Sequence, residues 1–176
     1  MIKKIVKFFS KIHLPFSRKK VSEKLIEQFL KDLKNGDSVL THVSGELTNF
    51  GLDHWSHKAT YYDGYFYEST TEGVKKTHPI YFMAKKDDLL HLRPKFKISF
   101  DSFIYFLSSK IDHSYDFEFE DNDDEFYCFE LVALAYLNSS LEKISIEKKK
   151  TLLGHKYLAS SFINSPHFEI IAKKKV

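Results

Sequence analysis

The chain has 176 residues, 43% of them apolar and 16% aromatic, enough for one domain with a core rich in Phe and Tyr. A single cysteine excludes an intramolecular disulfide and a cysteine-based zinc framework, and it suits a reducing compartment, so the expected location is the cytoplasm. The net charge of +3 is terminal: residues 1–20 carry seven Lys or Arg and no acid, residues 173–175 carry three Lys, and residues 21–172 hold 17 basic and 24 acidic side chains. An acidic body argues against nucleic acid as a partner, because phosphate binding needs a basic face.

Residues 1–20 form a basic amphipathic arm, with Ile2, Ile5, Val6, Phe9 and Ile12 on one side, Lys3, Lys4, Lys7 and Lys11 elsewhere, and Pro15 ending the pattern. Such an arm suits peripheral contact with an anionic membrane, docking on the domain, or disorder. It is too short and too interrupted by lysine to span a bilayer, and no small-residue cleavage site follows it. Residues 21–176 are expected to form one domain.

From Ser22, the positions Leu25, Ile26, Phe29, Leu30 and Leu33 predict a helix that stops at Asn35 and Gly36. Asp37–Val43 reads as a strand, with Asp37 at a turn or strand start, and residues 44–53, polar with two glycines, read as a loop. Trp55–Tyr62 and Tyr65–Ser69 flank Asp63 and Gly64, the strongest hairpin signal in the chain. His57 and Glu68 lie on its two arms, near neighbours or diagonal according to register. Further strands are expected after Gly73 and Val74, at Leu89–Arg93 before Pro94, and at Phe168–Ile171, with a helix over Ile98–Ile111. Tyr115, Phe117 and Phe119 alternate with Asp116, Glu118 and Glu120, an extended pattern with its acids outward, and residues 141–150 are charged and exposed. Helices before and after an antiparallel sheet give an α+β class.

The clearest amphipathic helix begins near Cys128 and continues through Leu131, Val132, Ala135 and Tyr136. Asp121, Asn122, Asp123 and Asp124 are N-cap residues in type, which places the thiol in the first turn, where free N–H groups and the macrodipole favour an anion. Two readings of Cys128 follow, a small core residue or an activated thiolate. The eight acids from Asp112 to Glu125 oppose the second, since negative charge raises a thiol's pKa.

A cysteine hydrolase needs a thiol, an imidazole that takes and returns its proton, and a polar group that orients the imidazole. Cys128, His57 and Glu68 supply those types. The backbone N–H of Cys128 suits the oxyanion formed on attack at a carbonyl, with the Tyr127 hydroxyl as a second donor or simply a packing group. His42, His54 and His57 with Cys128 have no spacing diagnostic of zinc. The remaining histidines, His91 among them, read as surface or packing residues.

Gly36-Asp37-Ser38-Val39-Leu40, Trp55-Ser56-His57, Tyr67-Glu68-Ser69 with Gly73-Val74, and Tyr127-Cys128-Phe129-Glu130-Leu131-Val132, in that order, resemble the circularly permuted branch of the NlpC-type papain-like family, the YiiX-like proteins. In that branch the histidine strand precedes the cysteine helix. The closing Asn164-Ser165-Pro166 and Phe168-Glu169 resemble its C-terminal segment, so the likeness spans roughly residues 36–171. The resemblance implies a papain-like domain in which the cysteine helix packs on a barrel-like antiparallel sheet. It implies Cys128 as nucleophile, His57 as general base and acid, and Glu68 as orienting group, with no metal or organic cofactor.

Two positions depart from the pattern. Phe129 stands where many relatives carry serine, and Lys58 replaces what is commonly an apolar residue, read here as facing solvent, with contact to an anionic substrate as the alternative. Trp55 reads as core or pocket wall. The expected activity is thioester-mediated hydrolysis of an amide or ester in a small peptide, N-acyl or lipid-like substrate. An acyltransferase on the same site, or a catalytically silent lipid- or protein-binding domain, are the alternatives.

Overall fold

The computed structural model describes residues 23–43, 54–83, 86–119, 124–151 and 154–175. The basic arm and the expected loop at 44–53 lie outside the described residues. Helix α1 (Glu23–Asp32) leads to strand β1 (Ser38–His42), followed by β2 (His57–Tyr62), β3 (Tyr65–Thr70), β4 (Gly73–Thr77), the short helix α2 (Pro79–Met83), and β5 (Asp88–Pro94). Helices α3 (Phe100–Ser109) and α4 (Cys128–Ser139) come next, then the hairpin β6 (Lys149–Thr151) and β7 (Gly154–Lys156), helix α5 (Ala159–Ile163), and β8 (Phe168–Lys175).

Six strands form one antiparallel sheet in the order β4-β3-β2-β1-β5-β8. The β2–β3 turn has Asp63 at φ +46° and Gly64 at φ +80°, the doubly left-handed conformation that an Asp-Gly pair supplies to a two-residue hairpin. Gly73 opens β4 at φ +107°, where a Cβ would stand 2.7 Å from the backbone oxygen of His113. Both faces of the sheet are covered. On one, Leu40, Leu90 and Leu92 join Phe103, Leu107, Leu131, Val132, Tyr136 and Phe162 of helices α3 to α5; on the other, Val39, Ala59, Phe66 and Leu89 meet Ile26 and Phe29 of α1 and Phe82 and Met83 of α2. Strand β1 is therefore buried on both sides, which explains why Val39 and Leu40 are both apolar.

Several expectations are corrected. The first helix ends at Asp32, short of Gly36, which at φ +87° belongs to the turn into β1. The Tyr115–Phe119 segment is not a strand with outward acids: Asp116 is fully buried and accepts hydrogen bonds from the backbone N–H groups of Glu118 (2.8 Å) and Phe119 (2.6 Å). Such an Asx turn competes with an extended ladder. The last strand runs to Lys175, four residues beyond the expected Ile171.

A buried ionic cluster locks the turn into β1. The Asp37 carboxylate accepts from His91 Nε2 (2.6 Å), from Arg93 Nε (2.9 Å) and Nη2 (2.8 Å), and from the Lys34 backbone N–H (2.8 Å). Burial pushes the Asp37 pKa up, but its hydrogen bonds to His91, Arg93 and Lys34 outweigh that and hold it below the usual carboxylate value. Removing one member of a buried pair leaves the other charged group without compensation. Asp37→Ala is therefore expected to lower the unfolding free energy by about 3–5 kcal/mol; a urea titration showing a loss below about 1 kcal/mol would assign the cluster no stabilising role.

Candidate active site

Three of the four elements that build the site are neighbouring strands. In the β2–β3 register Ala59 lies opposite Glu68, and in the β3–β4 register Lys75 lies opposite Glu68. His57 and Thr77 are each two residues from those partners, so both reach Glu68 diagonally on the same face of the sheet. His57 Nε2 is 2.6 Å from Glu68 Oε2, and the Thr77 hydroxyl donates to Glu68 Oε1. With Nε2 committed to Glu68, Nδ1 is the imidazole nitrogen left for the thiol, and Cys128 acts on the imidazole's charge together with Glu68. Phe82 of α2 flanks the imidazole, ring centroids 5.9 Å apart.

Cys128 is the first residue of α4. Its N-cap is Tyr127, extended at φ −91° and ψ 163° and without a side-chain cap bond, so the acids upstream do not cap the helix as expected. Tertiary bonds fix the start instead. Ser69 Oγ donates to the Phe126 carbonyl (2.5 Å), the Phe126 N–H donates to the Ser114 carbonyl (3.0 Å), and the Tyr127 hydroxyl accepts from the Tyr157 N–H (2.7 Å). Two turns along, the Tyr136 hydroxyl donates to the Gly36 carbonyl (2.8 Å). The unpaired N–H groups and the positive end of the helix dipole thus lie at the sulfur.

The electrostatics follow from this arrangement. Burial pulls the His57 pKa down, but hydrogen bonds to Cys128 and Glu68, with their charges, reverse this and raise it to about 9. Burial pushes Glu68 up, and His57, together with the Thr77 hydroxyl, brings it down to about 2. Between those values the imidazolium–carboxylate pair is the ionised form. Solvent reaches the site at the imidazole, 15% of whose side chain is exposed, while Cys128 is 4% exposed.

The other expected site residues are placed as follows. The Tyr127 hydroxyl is engaged with Tyr157, and burial followed by the Glu130 charge raises its pKa, so it is a neutral phenol. Phe129 turns inward, 7% exposed, with its ring 6.4 Å from that of Phe162. Trp55 is 5% exposed in the core cluster that contains Cys128. Lys58 contradicts the solvent-facing reading: it is fully buried, with Nζ donating to Ser38 Oγ (2.7 Å), because β2 is covered on both faces. Sequence reasoning also missed Tyr115 and Thr77. Tyr115 is raised well above the ordinary tyrosine value, by burial first and then by the Cys128 and Asp116 charges, which places a neutral phenol within reach of the sulfur's field. His54 pairs with Asp88 (2.8 Å) and stacks on His42 at 4.2 Å, away from any arrangement with Cys128.

An antiparallel sheet carrying histidine and glutamate, with a cysteine at the start of the helix packed on it and the histidine first in chain order, defines a circularly permuted papain-like cysteine hydrolase fold. A family model described as a permuted papain-like amidase enzyme, YaeF/YiiX, C92 family, matches residues 32–172, and the chain belongs to that family. Among solved structures it is similar to the metalloprotein yiiX from Escherichia coli O157:H7, with a TM-score of 0.68 and 18% identity over 81% of this chain and 98% of that one. At that identity the likeness concerns the fold. Comparison with curated proteins finds no match. Although that neighbour is named a metalloprotein, among the described residues here no group of three or more His, Cys, Asp or Glu side chains is placed to hold a metal ion. No helix among them is long and apolar enough to cross a membrane.

The pair predicts a stability profile. The folded pKa of His57 exceeds its ordinary 6.5, so its contribution is fully present below pH 6.5 and is lost as pH rises through about 9. The folded pKa of Glu68 lies below its ordinary 4.5, so its contribution is present above pH 4.5 and is lost as pH falls through about 2. Urea unfolding at a series of pH values is expected to show a loss on both sides of that plateau, with Glu68→Gln shrinking the alkaline limb. An unchanged alkaline limb in the variant would dissociate the two groups.

Proposed function

We propose that the protein is a thiol amidase working through a thioester acyl-enzyme, with Cys128 as nucleophile, His57 as general base and acid, and Glu68 as the group that orients and charges the imidazole. The observation that carries this reading is the His57 imidazole, hydrogen-bonded to Glu68 at 2.6 Å through Nε2, with Cys128 close enough that its charge helps to raise the imidazole's pKa. With His57 already an imidazolium, the Cys128 thiolate beside it attacks the carbonyl carbon and the imidazolium gives its proton to the leaving amine; water then cleaves the thioester, the now neutral His57 taking the water's proton as base. The Cys128 backbone N–H, at the helix start where no intrahelical carbonyl takes it, donates to the oxyanion. Thr77 holds the second oxygen of Glu68, so the carboxylate cannot rotate away from the imidazole.

Family membership supports amidase chemistry over the silent-domain alternative. For the substrate we propose a small peptide or N-acyl compound, an apolar group of which would meet the Phe82 ring that flanks the imidazole at 5.9 Å. Peripheral membrane contact and a cytoplasmic location belong to the same proposal through residues 1–20, which lie outside the described residues.

Alkylation of Cys128 by iodoacetamide at pH 6 tests the triad. His57→Ala is expected to slow labelling at least tenfold, because the thiol then loses the cation that stabilises its anion. Glu68→Gln should produce a smaller loss in the same direction. Equal labelling of wild type and His57→Ala would refute the nucleophile–base assignment.

A further inference from the structure

The direction of proton transfer gives the substrate a side. His57 hands its proton to the departing nitrogen, so the amine half of the substrate lies against the imidazole. What stands on that side is α2 and the connection into β5. Phe82 of α2 flanks the imidazole, ring centroids 5.9 Å apart, and stacks on Phe66 at 4.2 Å. Lys86, between α2 and β5, holds its Nζ over the Phe82 ring, 5.8 Å from the centroid. Phe66 already covers one face of that ring, so the amine takes the other, and ammonium and imidazole have the same phenyl group as a neighbour.

The charge on Lys86 has no fixed counterpart. Among the described residues it forms no ion pair: both oxygens of Glu68 are held, by His57 and Thr77, and Asp88 is held by His54. The lysines of β4 differ. Lys75 is paired with Glu72, and Lys76 lies over the Tyr65 ring on the other face of the strand. Lys86 is half-buried, the state of a lysine that lays its stem along apolar surface and keeps its head group in water. Burial raises the Glu68 pKa, and after His57 and Thr77 the Lys86 charge joins in lowering it, which agrees with an amine on the carboxylate's side of the sheet.

We propose that Lys86 is a specificity-determining residue that receives a carboxylate on the leaving amine, so that the preferred substrate is an N-acyl amino acid or a peptide cut at its C-terminal residue. The inference rests on the amidase reading of Cys128 and His57. In such a substrate the carboxylate is two bonds from the nitrogen that takes the proton, within reach of a flexible four-carbon side chain anchored beside Phe82. Cleavage breaks the C–N bond, the acyl group stays on the sulfur, the His57 proton goes to the nitrogen, and the amino acid departs with its carboxylate unchanged. Lys86 enters none of these steps. It holds the departing residue in line with the imidazole, and it discriminates by charge, because an uncharged amide in that place leaves the ammonium without its partner.

Protection of Cys128 from iodoacetamide in the full chain tests this. The probes are benzoyl-phenylalanine and benzoyl-phenylalaninamide, which differ in carrying a carboxylate or a neutral amide on the leaving residue. The carboxylate probe is expected to protect the wild type at about fivefold lower concentration, the effect of a partly exposed ion pair, and added salt should shrink that advantage. Lys86→Met should erase the preference, and Lys86→Arg should keep it. The salt dependence in the wild type decides the question if Lys86→Met does not fold. Equal protection by the two probes, protection by neither, a preference that ignores salt, or one that survives Lys86→Met overturns the proposal. If labelling is independent of His57 the amidase reading fails first, whereas His57-dependent labelling with equal protection removes only the role of Lys86, so the two failures are distinguishable.

Discussion

The constraint on which the site depends is the register of three strands. Glu68 sits opposite Ala59 on one side and Lys75 on the other, and only that pairing brings His57 and Thr77 onto its two oxygens along a single diagonal. A slip of one residue in β2 would turn His57 to the face that now holds Lys58 and put the amine where the imidazole belongs. The Asp63-Gly64 turn guards against this, because a two-residue hairpin with both φ values positive leaves one register open to the strands it joins. A local preference of two residues thereby sets the geometry of a charge pair four to six residues away.

What was legible in the sequence follows from the strength and length of each signal. The hairpin was read from its turn, α3 from its apolar spacing, and the cysteine helix from Leu131, Val132, Ala135 and Tyr136. Helices α2 and α5 and the β6–β7 hairpin span three to five residues per element, too short for a period of 3.6 or 2 to register, and they went unread. The start of α4 was read at Cys128, where it lies, but its cap was assigned to the run of acids, whereas bonds with Ser69, Ser114 and Tyr157 hold the residues just ahead of Cys128. The cysteine, histidine and glutamate were named from residue type and order. Thr77 and Tyr115 were not, because a lone hydroxyl in a strand or loop carries no spacing that marks it.

Lys58 and Asp37 show a second limit. Both are polar side chains in a sheet covered on both faces, and strand composition alone reads a lysine as the solvent side of an alternating pattern. The cover comes from helices far along the chain, so the burial of Lys58 is a property of tertiary structure. The same holds for Asp37, whose partners His91 and Arg93 arrive only through the pairing of β1 with β5. The two groups are nevertheless unlike. Asp37 is surrounded by donors and is satisfied, whereas Lys58 has one oxygen acceptor and an aromatic face, and burial drives its amine well below the ordinary lysine value.

The buried polar row under α4 also solves a problem that apolar packing cannot. A helix held on a sheet by Leu and Val alone gains little from one axial position over another a fraction of a turn away, since dispersion contacts are individually weak and non-directional. The Tyr136 hydroxyl, bound to the Gly36 carbonyl at 2.8 Å, removes that freedom, because sliding would leave a buried donor and acceptor without partners. Cys128 is eight residues up the same rod, a rise of about 12 Å at 1.5 Å per residue. The Ser69–Phe126 bond fixes the other end from β3, the strand that carries Glu68 on its opposite face. Sulfur, imidazole and carboxylate are therefore referred to one sheet: two through the ladder, and the third through hydrogen bonds at both ends of a helix that has little room to move between them.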